Sequence, residues 1–307
     1  MRVCEVTAFG GPEVLVAGER PWPTAGADEV VVKIAATNVN PTDIAGRSGA
    51  YRRLGAELEP PFIPGWDLAG TVAEVNAENC ALSVGDPVVG MIPWARIGGR
   101  VGSYAQAAAV DPGWLAPRPD GLDEVVGATV PLNTLTAHQC LELIAAPAGA
   151  TLLITGASGA VGGFATQLAK RRGLHVIAVA SDGDEDWVAG LGADEVLPRG
   201  TDLEHVGPVD AVLDAVPLGV DTLAPVRPGG VAVFTRRSVE VPDGLDLRVE
   251  MPLVNSDAPA LAELTRLVAR GELRSRIDRT LDLSRAAEAH ALVEHGGLRG
   301  KVVLTTG

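Results

Sequence analysis

Cysteine, histidine and aromatic residues are all scarce in this chain. Among 307 residues there are three cysteines, five histidines and 4% aromatics. Cys4, Cys80 and Cys140 lie far apart and form neither a C-x-x-C pair nor a disulfide framework. They read as buried or half-buried thiols in a reducing cytoplasm. His138, His175, His205, His290 and His295 show no ligand spacing, so no metal site is expected. His290 and His295, near the end of a helical pattern, read as solvated or as capping a helix C-terminus. No apolar run approaches the roughly 18 residues of a membrane span. The opening Met1-Arg2-Val3-Cys4-Glu5-Val6 reads as a strand and not as a leader. Cations are in deficit, 25 Lys and Arg against 39 Asp and Glu, for a formal net charge of -14. That balance opposes binding to nucleic acid or to an anionic membrane. A cytoplasmic protein acting on a small molecule is the expectation.

Hydrophobic residues make up 47% of the chain and charged residues 21%, the balance of a folded globular protein. The length suits two domains with full cores. Over roughly the first 120 residues, short apolar strands at 30–34, 68–75, 88–92 and 105–110 are separated by Pro and Gly, as in Pro64-Gly65 and Gly85-Asp86-Pro87. That is the punctuation of a small antiparallel barrel. From about residue 124 the pattern turns helical and then βα. An amphipathic helix is expected over 258–270. The tail then holds a strand at 278–283, a helix at 286–294 and a strand at 302–305. The expected domains are 1–123 with 266–307, and 124–265.

The most informative stretch is Leu152-Leu153-Ile154-Thr155-Gly156-Ala157-Ser158-Gly159-Ala160-Val161-Gly162. An apolar strand ends in a small-residue turn, and 164–170 reads as a helix. Such a turn brings backbone N–H groups and a helix N-terminus up to a pyrophosphate. Gly159 lets the backbone approach the phosphates, and Gly162 lets the helix pack close to the strand. Ala157 replaces the usual first glycine, so the motif is A-x-G-x-x-G. Further strands at 175–180, 195–197, 210–216 and 231–234 alternate with helices, which implies a doubly wound parallel sheet. Ala157, Ser158, Gly159, Ala160, Val161 and Gly162 are therefore the expected dinucleotide-binding residues. A G-x-S-x-G nucleophile elbow around Ser158 lacks its final glycine and shows no His–Asp pair. A phosphate loop of the Walker type lacks its Gly-Lys-Ser/Thr. The acidic run 182–186 reads as a solvated loop.

An ordered set of further motifs spans nearly the whole length. These are Gly10-Gly11-Pro12-Glu13-Val14-Leu15, Val39-Asn40-Pro41-Thr42-Asp43, Gly49-Ala50-Tyr51, Pro64-Gly65-Trp66-Asp67-Leu68-Ala69-Gly70 and Gly85-Asp86-Pro87-Val88. Thr136-Ala137-His138, Gly192-Ala193-Asp194 and Gly300-Lys301-Val302-Val303-Leu304 follow. In this set the chain resembles the zinc-independent quinone oxidoreductases of the medium-chain dehydrogenase/reductase superfamily. The resemblance implies an α/β protein with a Rossmann doubly wound parallel sheet plus a GroES-like antiparallel β-barrel domain. It also implies a homodimer paired through the edge of the Rossmann sheet, where 231–234 and the following 239–247 would lie. Zinc-dependent relatives carry metal ligands where this chain has Asn40 and Trp66-Asp67, so no zinc is expected.

The resemblance places Asn40 and Tyr51 toward the nicotinamide. With Asp43 they are the candidate catalytic residues, although Asn40 before Pro41 is also a natural turn residue and Asp43 a natural helix cap. Thr136 matches a position near the nicotinamide. Ala180 stands where NAD-dependent relatives carry Asp. Without that carboxylate a 2′-phosphate is not repelled; Ser181 offers it a hydrogen bond, and Arg199 reads either as its cation or as a solvated loop arginine. NADPH is thus expected over NADH, with Asp182 opposing. Hydride transfer to a quinone or an α,β-unsaturated carbonyl is the expected chemistry, with donors aimed at the developing oxyanion. A dinucleotide-binding sensor with little reductase activity, and a biosynthetic enoyl reductase, remain as alternatives.

Overall fold

Residues 1–236 and 244–307 are described by the structure, a computed structural model, in which the chain folds as two units. Met1–Leu132, Asn255–Glu272 and Arg276–Gly307 form the first unit. Asn133–Val254 and Leu273–Ser275 form the second.

In the first unit, β1 (Arg2–Val6) and β2 (Leu15–Glu19) pair as an antiparallel two-stranded sheet. The spine of the larger sheet is β3 (Glu29–Asn38), with Val30, Val31, Val32 and Ile34 buried. The chain then makes α1 (Pro41–Arg47) and α2 (Ala50–Arg53). It returns antiparallel to β3 as β4 (Asp67–Asn76), which carries β5 (Pro87–Met91). β6 (Ala107–Val110) pairs with the first half of β3, and β7 (Leu115–Pro117) with β5. Asp123 caps the short α3 (Glu124–Gly127) by accepting the Val126 N–H at 2.8 Å, the role expected of an N-cap aspartate.

α4 (Pro131–Ile144) leads into the second unit. There β8 (Thr151–Thr155), α5 (Ala160–Arg171), β9 (His175–Ala180), α6 (Glu185–Gly190) and β10 (Glu195–Pro198) alternate as the sequence predicts. β11 (Val209–Asp214), β12 (Val226–Phe234) and β13 (Leu247–Glu250) complete a parallel sheet of order β10-β9-β8-β11-β12-β13. This is the dinucleotide-binding order, with the topological switch between β8 and β11. Leu153, Ile177, Val179, Val212 and Phe234 are among its core residues.

Two strands differ from expectation. β12 begins at Val226 and not after Pro228-Gly229-Gly230, because a register shift between Val209 and Ala211 of β11 accommodates those residues. A sixth strand, β13, extends the edge. Of the stretch 239–247 expected there, 239–243 lie outside the described residues. The acidic run is not all solvated either. Asp184 is buried and its N–H donates to Ser181 O at 2.9 Å, just before α6.

The chain returns to the first unit with α7 (Ala258–Ala269), whose Leu261, Leu264, Leu267 and Val268 face inward. β14 (Ile277–Asp282), α8 (Ala286–His295) and β15 (Lys301–Thr305) follow. β15 pairs antiparallel with β3 and parallel with β14. The sheet is therefore not wholly antiparallel, as the barrel expectation had it. Among the described residues its path runs β14-β15-β3-β4-β5-β7 without closing. His290 is not solvated. It is fully buried on α8, with Nε2 2.9 Å from the Tyr104 hydroxyl. Burial and the Arg47 guanidinium push its pKa down to about 3, so it stays neutral.

Candidate active site

The glycine turn is held rigidly at the carboxyl end of β8. Ala157 N–H donates to Val179 O at 3.1 Å, and Ser181 N–H donates to Ser158 Oγ at 2.9 Å. Both bonds tie the turn to the end of β9. Gly159 is the N-cap of α5 and supplies no side-chain cap, so the first-turn N–H groups of that helix keep their capacity for an anion. A Cβ on Gly162 would lie 2.3 Å from Gly156 O, so only glycine allows α5 to approach the turn this closely. Across the switch point, Asp214 at the end of β11 accepts Thr155 Oγ1–H at 2.5 Å and the Leu218 and Gly219 N–H groups at 3.1 Å. That carboxylate fixes the loop after β11. These features fit the pyrophosphate of a dinucleotide.

β9 and β10 end side by side, with Ala180 paired to Pro198. Ser181 and Arg199 are the next residue on each strand, so both leave the sheet at its carboxyl edge. Arg199 is exposed. Ala180 is buried and brings no carboxylate to this edge. Thr136 is buried on α4.

In the first unit, Asn-Pro-x-Asp starts a helix. Asn40 is extended, with φ -112° and ψ 152°, as the residue before proline prefers, and Pro41 opens α1. Asp43 folds back to accept the Asn40 N–H at 2.7 Å and also accepts Trp94 Nε1–H at 3.3 Å. The Asn40 side chain sits inside a buried polar array. Its Nδ2 donates to Asp67 Oδ2 at 2.7 Å, and its Oδ1 accepts from Lys301 Nζ at 2.6 Å. Lys301 Nζ also donates to Val39 O at 2.7 Å. Asp67 further accepts Asn38 Nδ2–H at 2.7 Å and the Leu132 N–H at 2.6 Å.

Burial dominates the electrostatics here. It pushes Asp43 up to about 7, with Asp67 adding to the rise against the pull of the Asn40 N–H, Lys301 and Trp94. It raises Asp67 as well. It lowers Lys301 to about 8, against the attraction of Asp67 and Asp43. Two acids and one base share a dry interior, and a proton on Asp43 leaves the remaining pair neutral overall.

Tyr51 is half-buried on α2, its hydroxyl hydrogen-bonded to Thr42 Oγ1 and its ring edge-on to Trp94 at 6.4 Å. Trp94 also stacks on Phe62 at 5.4 Å and meets Trp66 edge-on at 6.4 Å. Tyr51, Phe62, Trp66 and Trp94 thus form one aromatic cluster, joined to Asp43 through Trp94. The structure brings Asn40, Asp43 and Tyr51 into one neighbourhood of the first unit. It brings residues 157–162, Ser181 and Arg199 to one edge of the second. Sequence reasoning assigned no role to Asp67, Lys301 or Asp214. The available signal was a lone charge at the end of an apolar strand, as in Lys301-Val302-Val303-Leu304.

Among the described residues no group of three or more His, Cys, Asp or Glu is arranged to hold a metal. No described helix is long and apolar enough to cross a membrane. Cys4 and Cys140 are buried thiols, each pushed up to about 12 chiefly by burial.

Two family profiles match the chain. One, described as an alcohol dehydrogenase GroES-like domain, covers residues 26–120, and the other, described as a zinc-binding dehydrogenase, covers 191–304. A chloroplastic quinone-oxidoreductase homolog of Spinacia oleracea is 31% identical over 96% of this chain and 95% of its own length. A chloroplastic NADPH-dependent alkenal/one oxidoreductase of Arabidopsis thaliana is 28% identical over 99% of this chain and 79% of its own length. The solved structure of the quinone oxidoreductase from Coxiella burnetii superposes with a TM-score of 0.87 at 27% identity, covering 100% of this chain and 99% of that one. With the parallel sheet, the glycine turn and these matches in agreement, the chain belongs to the quinone oxidoreductase-like family of the medium-chain dehydrogenase/reductase superfamily, a family of oxidoreductases.

Proposed function

We propose that this protein is an NADPH-dependent, zinc-independent reductase of quinones or α,β-unsaturated carbonyl compounds. The observation that carries the reading is the rigid glycine turn at the switch point of the sheet, with the uncapped N-terminus of α5 behind it. Ala157 to Gly162 would hold the pyrophosphate. Ser181 and Arg199, at the carboxyl edge beside the buried Ala180, favour a 2′-phosphate over a bare ribose, and Asp184 is turned inward. The names of the relatives support both the cofactor and the substrate class. The donor set around Asn40 opposes zinc. An ammonium group lies 2.6 Å from Asn40 Oδ1, where a dication would be repelled and where no thiolate stands.

When bound, the reduced nicotinamide supplies a hydride to the electrophilic carbon of the substrate. The protein's own part is to bind, orient and stabilise charge. Negative charge develops on the substrate oxygen, and Asn40 Nδ2–H and the Tyr51 hydroxyl are the donors suited to it. Thr42 orients the Tyr51 hydroxyl. Asp43 fixes the backbone on which Asn40 stands. The reading extends to a cytoplasmic homodimer. β13 is an edge strand, and the exposed Leu245, Met251 and Leu253 flank it.

The test is NADPH oxidation against a panel of quinones and enones, with NADH in parallel. Turnover preferring NADPH is expected. No turnover across the panel overturns the reductase reading, and a preference for NADH overturns the cofactor assignment. Stoichiometric zinc by elemental analysis, with activity lost on chelation, overturns zinc independence. A monomer by sedimentation at micromolar concentration overturns the dimer.

A further inference from the structure

A carboxamide is ambiguous. It offers a donor and an acceptor of nearly the same shape, and it can face a ligand with either. At Asn40 two independent neighbours remove the ambiguity. Lys301 Nζ has only donors, so the atom 2.6 Å from it is Oδ1. Asp67, receiving N–H groups from Asn38, Asn40 and Leu132, acts as an acceptor, so the atom 2.7 Å from it is Nδ2. The two assignments agree.

The fold makes this clamp across a long sequence distance. β15 pairs antiparallel with the end of β3, Val303 opposite Asn38, and the Val39 N–H donates to Val302 O at 3.0 Å. That register carries Lys301 beside the turn from β3 into α1. A Cβ on Gly300 would lie 2.5 Å from Arg276 O, so the chain enters β15 at a point only glycine fits. Lys301 itself is buried. Interring an ammonium is costly, and an apolar residue of similar length would fill the same space without that cost.

We propose that Lys301 is a positioning residue. By holding Asn40 Oδ1 while Asp67 holds one Nδ2–H, it fixes the carboxamide in one orientation and keeps Oδ1 turned to the lysine, so that Asn40 meets a ligand through its second Nδ2–H and the substrate atom it meets is an acceptor oxygen. This rests on the reading of Asn40 as a substrate-facing group. It adds that a carbonyl or quinone oxygen is selected over a substrate presenting N–H or O–H at that point.

The experiment is a set of variants assayed with NADPH and menadione. Lys301→Met should lower kcat about tenfold, the effect of losing one aligned donor, while leaving the affinity for NADPH unchanged. Lys301→Gln, which keeps a donor without the charge, should recover most of that loss. In an Asn40→Ala background, Lys301→Met should slow the enzyme no further, because the two act as one unit. If Lys301→Met does not fold, Lys301→Met with Asp67→Asn removes both buried charges together and should show the same loss. A wild-type kcat in either variant, or losses that multiply in the Asn40→Ala background, overturns the proposal. The side-chain amide signals of Asn40, identified by Asn40→Ala in nitrogen-labelled protein, give a second readout. They should exchange slowly with water in the wild type and at least tenfold faster in Lys301→Met. Equal exchange overturns the clamp even in a protein that reduces nothing. Failure of wild-type turnover alone overturns the reductase reading and leaves the clamp to this measurement.

Discussion

Replacing Asp43 with Asn should abolish a pH dependence of stability that the wild type carries between about pH 4 and pH 7. Asp43 is fully buried and its carboxyl is pushed up to about 7, chiefly by burial. An unfolded aspartate titrates near 3.9. Between those values the native state holds a proton that the unfolded state has released. The stability this contributes is complete below about pH 4 and is lost as the pH rises through 7. At about 1.4 kcal/mol per pH unit, over about three units, the loss is on the order of 4 kcal/mol. That is a large share of the roughly 5–15 kcal/mol that holds a domain together. Asn at the same place has no proton to exchange. It keeps an acceptor for the Asn40 N–H, at 2.7 Å, and gives up the 3.3 Å bond from Trp94, a cost of about 1 kcal/mol at every pH. Asp43→Asn should therefore be slightly less stable than the wild type near pH 4.5 and more stable near pH 8.

The assay is urea unfolding at fixed pH values across that range, followed by tryptophan fluorescence. Trp22, Trp66, Trp94 and Trp114 all belong to the unit that carries Asp43, and only Trp187 to the other, so the signal reports the right transition. Taking the difference between variant and wild type cancels the many other carboxylates. Lys301, lowered to about 8 by burial, acts in another window. Its contribution to stability grows as the pH climbs from about 8 toward 10.4. A stability difference that stays constant from pH 4.5 to 8 would refute the reasoning, because Asp43 would then titrate alike in both states.

Gly162→Ala should lower the melting temperature and weaken NADPH binding at least tenfold, since a Cβ 2.3 Å from Gly156 O must displace backbone. A wild-type melting temperature, or a wild-type rise in it on adding NADPH, would contradict this. Ser181→Ala should weaken NADPH by about tenfold or more and NADH little, because a hydrogen bond to a charged phosphate is worth about 1.5–3 kcal/mol. Equal losses in titration with the two cofactors would show that Ser181 does not meet the 2′-phosphate. Tyr51→Phe should lower single-turnover NADPH oxidation about tenfold, the low end for one neutral donor. A wild-type rate in a folded, cofactor-bound variant would make Tyr51 a packing residue against Trp94.

What the sequence determined by itself is local. The turn at 155–162 was legible because the end of an apolar strand, four small residues and the start of a helix follow one another within a dozen positions, and glycine is demanded there by contacts made inside that window. The start of α1 was legible for the same reason: Asn40, Pro41 and Asp43 satisfy one another across three residues. α7 showed its buried Leu261, Leu264, Leu267 and Val268 as a helical period. The polar array was not legible. Lys301 reaches Asn40 across 261 positions, and His290 reaches Tyr104 across 186. A strand shows in its own residues which side chains it buries, but not which strand it will pair with or in what register. Only the pairing of β15 with β3 decides that a lysine from the end of the chain meets the asparagine near its beginning. The burial created by that pairing then moves the pKa of Asp43 and Lys301 toward each other. No local pattern encodes that environment, because desolvation is a property of everything packed around a group and not of its neighbours in sequence.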